Sequence, residues 1–108
     1  MKIQYTNKIV TEKAISITLL GVLEAIKGKS ISIDEAQAFI FSPRIVTMFR
    51  KAGVAHNVLE IIEKGCELED IELLIPEELD KVIENMVLEI HGILKDYKKI
   101  ENVNWINE

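Results

Sequence analysis

The sequence predicts an all-α protein, a single compact bundle of about five or six helices with a long C-terminal amphipathic helix. Three observations predict it. Apolar residues recur at helical spacing along nearly the whole chain. The punctuation consists of helix caps and single glycines rather than strand turns. Two prolines and five glycines in 108 residues leave little room for long loops. A chain of this length is expected to form one domain and to bury a core unaided. That domain spans residues 1–108, with 1–6 and 101–108 as extended or loosely packed ends.

The first helix is expected over residues 8–27. Ile15, Leu19, Val22, Leu23 and Ile26 mark one apolar face. Val10, Ala14, Ile17 and Leu20 mark a second, which suits a helix central in its bundle. Gly28 is expected to end it in the left-handed conformation. Ser32-Ile-Asp-Glu35 is a capping box, with hydroxyl and carboxylate each reaching the other residue's backbone N–H, and a short helix over 33–40 follows. Ser42-Pro43 opens a third helix over 43–52, which stops at Gly53. A fourth over 55–64 closes at Gly65, and 68–74 supplies one or two further turns. Pro76 opens the last and longest helix. Its Leu79, Ile83, Met86, Ile90, Ile93, Tyr97 and Ile100 fall at alternating steps of four and three, widened by Val82, Val87 and Leu94. The tail from Glu101 loses that pattern, with Trp105 expected to pack back, and Met1–Tyr5 is expected to be extended.

Composition excludes several classes. Hydrophobic residues make up 48% of the chain, too many for disorder. A lone cysteine, Cys66, forbids an intrachain disulfide and favours a reducing, cytoplasmic setting. The longest uncharged run near the start, Ala14 to Leu23, is ten residues, half of what a bilayer needs. Glu12 just before it, and the lack of a small-residue cleavage site after it, argue against a signal peptide.

Charge is unevenly placed. Residues 1–64 hold nine basic and six acidic side chains, a net +3; residues 65–108 hold four and twelve, a net −8. This balance makes nucleic acid a poor partner and suits a basic protein. The densest part is Gly65 to Asp80, where seven of sixteen residues are acidic and none is basic. Glu77, Glu78 and Asp80 follow Pro76 at a helix start, where the dipole favours carboxylates by about 0.3–1 kcal/mol each. Glu67, Glu69, Asp70 and Glu72 surround Leu68, Ile71 and Leu74, whose spacing gives a short helix a buried side. The carboxylates then point outward together and repel. They read either as a solvated face or as a contact surface. The alternating pattern of a calcium loop is absent, so no metal is expected.

The other candidates are plainer. Arg50 and Lys51 suit a helix C-terminus, but Arg44 lies at the disfavoured end and is expected to find an internal ion-pair partner. A helix-turn-helix over 43–64 would present Glu60 and Glu63 to DNA, with Lys64 its only cation, so DNA reading is not expected. His56 is expected to be exposed and His91 to be a packed or solvent-edge histidine. The residue three before His91 is Leu88, so the Glu-x-x-His of di-iron bundles is absent. Cys66, after Gly65, is placed where a helix start lowers a thiol pKa, but no base is evident and a buried structural cysteine is the plainer reading. Phosphate-cradling motifs are absent. No catalytic residue, cofactor or metal is expected.

Leu20-Gly-Val-Leu23, Phe41-Ser-Pro-Arg44 and Gly65-Cys-Glu-Leu-Glu-Asp-Ile71 together resemble a small bacterial family of about this length whose function is uncharacterised. The resemblance covers most of the chain and implies no activity. In size, helical fold and acidic face the chain also looks like the immunity proteins of colicin-type nucleases. No motif carries that likeness, and it implies no binding residue.

The expectation is a non-enzymatic interaction module. It holds a basic protein partner through Glu67, Glu69, Asp70 and Glu72, with Glu77 and Asp80 at the margin, and an immunity- or antitoxin-like role is one form of this. The alternatives are a structural homodimer with a seam of Leu79, Ile83, Met86, Ile90, Ile93 and Tyr97, or a small ligand-binding bundle using Cys66 or His91.

Overall fold

In the computed structural model the backbone of residues 2–107 and the side chains of residues 8–97 are described. The chain is all-α, with no strand among the described residues. Four helices of nine residues or more carry the architecture: α1 (Lys2–Lys27), α3 (Pro43–Lys51), α4 (His56–Cys66) and α6 (Leu79–Asn107). Between them lie α2 (Ile33–Phe39) and α5 (Leu68–Leu74), each seven residues, and a 3-10 turn at Pro76–Glu78. The bundle therefore has four helices rather than the expected five or six, with α2 and α5 as connectors of two turns.

The most extensive packing is between α1 and α6. These two span 26 and 29 residues, roughly 39 and 44 Å at 1.5 Å per residue. They form a long pair with α4 and the short helices packed around it. Both outlast the sequence expectation. Residues 2–6, expected to be extended, belong to α1, and the tail from Glu101 continues α6. Neither segment contains a glycine or proline to stop a helix already nucleated. The side chain of Trp105 lies outside the described residues.

Caps explain most boundaries. The Ser32–Glu35 capping box is present in both directions, at 3.0 and 3.1 Å. Ser42 accepts from the Ile45 N–H with Pro43 in the first turn of α3. Gly53 takes φ 85°, which a glycine tolerates, and turns the chain from α3 into α4.

Two glycines behave differently from expectation. The left-handed residue after α1 is Lys29 at φ 60°, not Gly28. Lys29 N–H bonds Ile26 O at 3.0 Å and Ser30 N–H bonds Ala25 O at 2.8 Å, the two bonds of a Schellman cap. A lysine here carries steric strain, so Lys29→Gly is expected to stabilise the fold by about 0.5–1 kcal/mol. Urea denaturation would check this; an unchanged or lower midpoint would contradict it.

Gly65 does not close α4 but sits inside it, buried under the ring of Phe41. A Cβ there would lie 2.1 Å from Phe41 Cδ1. This close approach lets Phe41, 1% exposed, fill the space between α2, α3 and α4.

The core runs along the α1–α6 seam through Leu19, Leu23, Ile83, Met86 and Ile90, and continues into α4 through Val58, Ile61 and Ile62. Only one of the two apolar faces expected for α1 is covered. Val10 and Ile17 are 57% and 54% exposed, so α1 lies at the side of the bundle rather than at its centre.

Candidate docking surface

The acidic stretch folds into a knuckle made of α5 and the 3-10 turn. Leu68, fully buried, anchors α5, and Ile71 is half-buried behind it. Ile75 then breaks the helix at φ −140° and ψ 62°, while its N–H still bonds Ile71 O at 2.9 Å. Pro76 follows and opens the 3-10 turn. Two helical turns are too short to carry the third apolar position inward. Leu74, expected on the buried side, is 75% exposed, beside Leu73 at 77% and Ile75 at 45%.

Glu67, Glu69, Asp70, Glu72, Glu77 and Asp80 are all exposed. Within the described residues none of their side chains forms a salt bridge or hydrogen bond. Carboxylates elsewhere on the surface do: Glu84 meets Lys27 at 2.7 Å, Glu63 meets Arg50 at 2.9 Å, Glu89 meets Lys64 at 2.8 Å, and Glu60 meets His56 at 2.7 Å. The knuckle thus gathers the densest set of carboxylates without an ion-pair partner among the described residues. Among the described residues its carboxylates do not converge into a group able to hold a metal ion. Glu72 and Asp80 instead face a cleft of ≈ 490 Å³ shared with Lys27, Lys29, Asp34 and Glu35.

The heptad stripe of α6 faces inward. Ile83, Met86, Ile90, Ile93 and Tyr97 are buried within the chain and Leu79 is half-buried. A homodimer seam would need these side chains at the surface; here they fill the contact with α1. His91 is exposed, and His56 is exposed beside Glu60. Cys66 is at the end of α4 rather than at a helix start. Burial, and then the nearby Glu63 and Glu67, push its thiol above the ordinary range. Such a thiol is a poor nucleophile. Arg44, expected to be paired internally, is exposed and makes no ion pair or hydrogen bond that ties it to the described residues.

One polar site escaped the sequence reading. Glu12 is 4% exposed. Its Oε1 accepts from the Tyr97 hydroxyl at 3.0 Å, and its Oε2 accepts from the Ala55 N–H at 2.5 Å. Its own carbonyl accepts from the Ser16 hydroxyl at 2.8 Å. Glu12 therefore ties α1 to α6 and to the entry of α4, where Ala55 has no side chain with which to cap the helix. The signal was present in the spacing: Ile9, Glu12, Ser16, Leu19 and Leu23 advance by three and four along one face.

Tyr97 is linked to Glu12 energetically as well. Burial, and then the bond to Glu12, raise its pKa well above the usual phenol value. A raised phenol keeps its proton in the folded state after the unfolded chain has lost its own. Its contribution is therefore fully present below about pH 10 and is lost as pH rises toward the folded value, at up to about 1.4 kcal/mol per pH unit. Tyr97→Phe is expected to cost about 1–2 kcal/mol at neutral pH. Urea midpoints between pH 8 and pH 11 should show the gap between the two proteins narrowing. A gap constant with pH would contradict the raised phenol.

Residues 6–107 match the model of a family described as a protein of unknown function, DUF3969. The chain belongs to that family. No curated protein and no solved structure matches it. Membership in DUF3969 brings no activity with it, so function rests on what the DUF3969 chain itself displays. No helix among its described residues is long and apolar enough to cross a membrane.

Proposed function

We propose that the protein is a non-enzymatic interaction module that holds a basic protein partner on its acidic knuckle. The observation that carries this reading is the exposed apolar triplet Leu73-Leu74-Ile75 set among Glu69, Asp70, Glu72 and Glu77. An apolar centre with a charged rim is the ordinary anatomy of a protein interface. Exposing three large aliphatic side chains together costs solvation that a monomer gains nothing from. The apolar centre supplies affinity once water is excluded, and the unpaired carboxylates set the on-rate and the choice of partner. An immunity- or antitoxin-like role, in which the partner is a basic toxin, is one form this takes.

The experiment is capture from the host's lysate, with wild type beside a variant carrying Glu67→Gln, Glu69→Gln, Asp70→Asn and Glu72→Gln. The substituted side chains are all exposed, so the fold is expected to survive. The reading expects a basic protein retained by wild type, lost from the variant and released by salt. Equal retention by both proteins, or by neither, would remove the knuckle from consideration.

A further inference from the structure

Among the described residues, large apolar side chains stand exposed in two places besides the isolated Leu88. Leu73, Leu74 and Ile75 form the knuckle; Val10, Ile17, Phe39 and Met48 stand around α1, α2 and α3. Val10 and Phe39 of the second group line a groove of ≈ 490 Å³, together with Ala14, Ile15, Ile40, Ile45 and Phe49. It lies over the second apolar face of α1, the one that no helix covers.

The electrostatics of this groove are the inverse of the knuckle's. The segments that line it, residues 10–18 and 39–49, contain Lys13 and Arg44, with Lys51 just beyond on α3 and Arg50 already paired with Glu63. Their single acidic residue is Glu12, which is buried on the other side of α1. On α3, helical spacing places Arg44 and Lys51 beside Met48, along the outer edge of the wall made by Ile45 and Phe49. Arg44 has no internal partner, which leaves its charge available at that edge. The groove thus fits a protruding apolar segment flanked by carboxylates. Residues 65–80, with seven carboxylates and no cation around an exposed aliphatic triplet, are such a segment.

We propose that the groove receives the knuckle of a second copy of this chain. Leu73, Leu74 and Ile75 of one copy enter against Phe39, Ile45 and Phe49 of the next, with Glu69 and Glu72 opposite Arg44 and Lys51. The contact is head-to-tail, so it builds a ring if the rotation closes and a linear assembly if it does not. This inference rests on the knuckle being a docking surface, and it gives that surface the basic edge of the groove to meet.

Sedimentation of the full chain tests it. At low ionic strength the mean mass is expected to rise with concentration, and at about 0.5 M salt it should return toward the monomer. Two exposed-surface variants separate the halves of the contact: Arg44→Glu with Lys51→Glu in the groove, and Glu69→Lys with Glu72→Lys in the knuckle. Each alone is expected to weaken self-association about ten-fold or more. The two variants mixed share two complementary surface pairs: the intact knuckle of the first with the intact groove of the second, and the now acidic groove of the first with the now basic knuckle of the second. The mixture should therefore recover the assembly that neither variant shows alone. A wild-type chain that stays monomeric at low salt would overturn the proposal, as would variants that associate like wild type. If that monomer still holds a foreign basic protein on the knuckle, self-docking fails while the partner reading stands. A monomer whose groove takes an acidic helix of another protein also overturns self-docking.

Discussion

Replacing Glu12 with alanine is expected to destabilise the fold by about 3–4 kcal/mol, a large part of what a domain of this size has. The substitution leaves the Ala55 N–H and the Tyr97 hydroxyl buried without their acceptor. An unmet buried donor costs about 1–3 kcal/mol, and two are created at once. The lost side chain also opens a cavity between α1 and the α3–α4 turn. Glu12→Gln is expected to be far milder, at about 1 kcal/mol. Its amide oxygen accepts from Ala55 and its NH₂ donates to the tyrosine oxygen, so only the tyrosine O–H loses its acceptor. Urea unfolding followed by circular dichroism would read both. An alanine variant no worse than the glutamine variant would show that the two hydrogen bonds contribute little.

Replacing Gly65 with alanine should also be severe, although in most helices the change is favourable. Alanine exceeds glycine in helix propensity by about 1 kcal/mol. At Gly65 that gain is outweighed, because the added methyl would overlap the ring of a fully buried Phe41. Overpacking of this kind costs about 1–3 kcal/mol, and with the Cβ at 2.1 Å from the ring the cost falls at the upper end, so a net loss of up to about 2 kcal/mol is expected. Gly92 in α6 provides the control, since it is exposed and a Cβ there meets nothing within 4 Å. Gly92→Ala is expected to stabilise by up to about 1 kcal/mol. Adding Phe41→Leu to Gly65→Ala should recover part of the loss, because the two positions share one space. Equal and favourable effects at Gly65 and Gly92 would mean that Phe41 moves aside without cost.

These two sites also mark where the sequence was legible and where it was not. Local chemistry was readable: Ser32 with Glu35, Ser42 with Pro43, and Gly53 each act within four residues of the chain. The 3.5-residue stripe of α6 was readable because one long helix carries it. Gly65 was misread because its role depends on Phe41, which is distant in sequence. Glu12 was missed because its partners lie 43 and 85 residues away. The second face of α1 was read as buried, since periodicity reports an apolar face without saying whether another helix arrives to cover it. The acidic stretch was legible as an anomaly of composition. That Leu73, Leu74 and Ile75 stand exposed within it depends on where α5 ends, and only the fold places that turn.

The central claim is that this knuckle binds through an apolar centre and a charged rim acting together. The most direct measurement is the affinity of the wild-type chain for its captured basic partner as a function of salt, beside the variant Leu73→Ser with Leu74→Ser. The account predicts that wild-type affinity falls steeply up to about 0.5 M salt, where the Debye length is only about 4 Å. The serine variant should bind at least about ten-fold more weakly at every salt concentration, with the same salt slope, because the rim is intact and the centre is gone. A wild-type affinity that does not change with salt, or a serine variant that binds as wild type does, would contradict it.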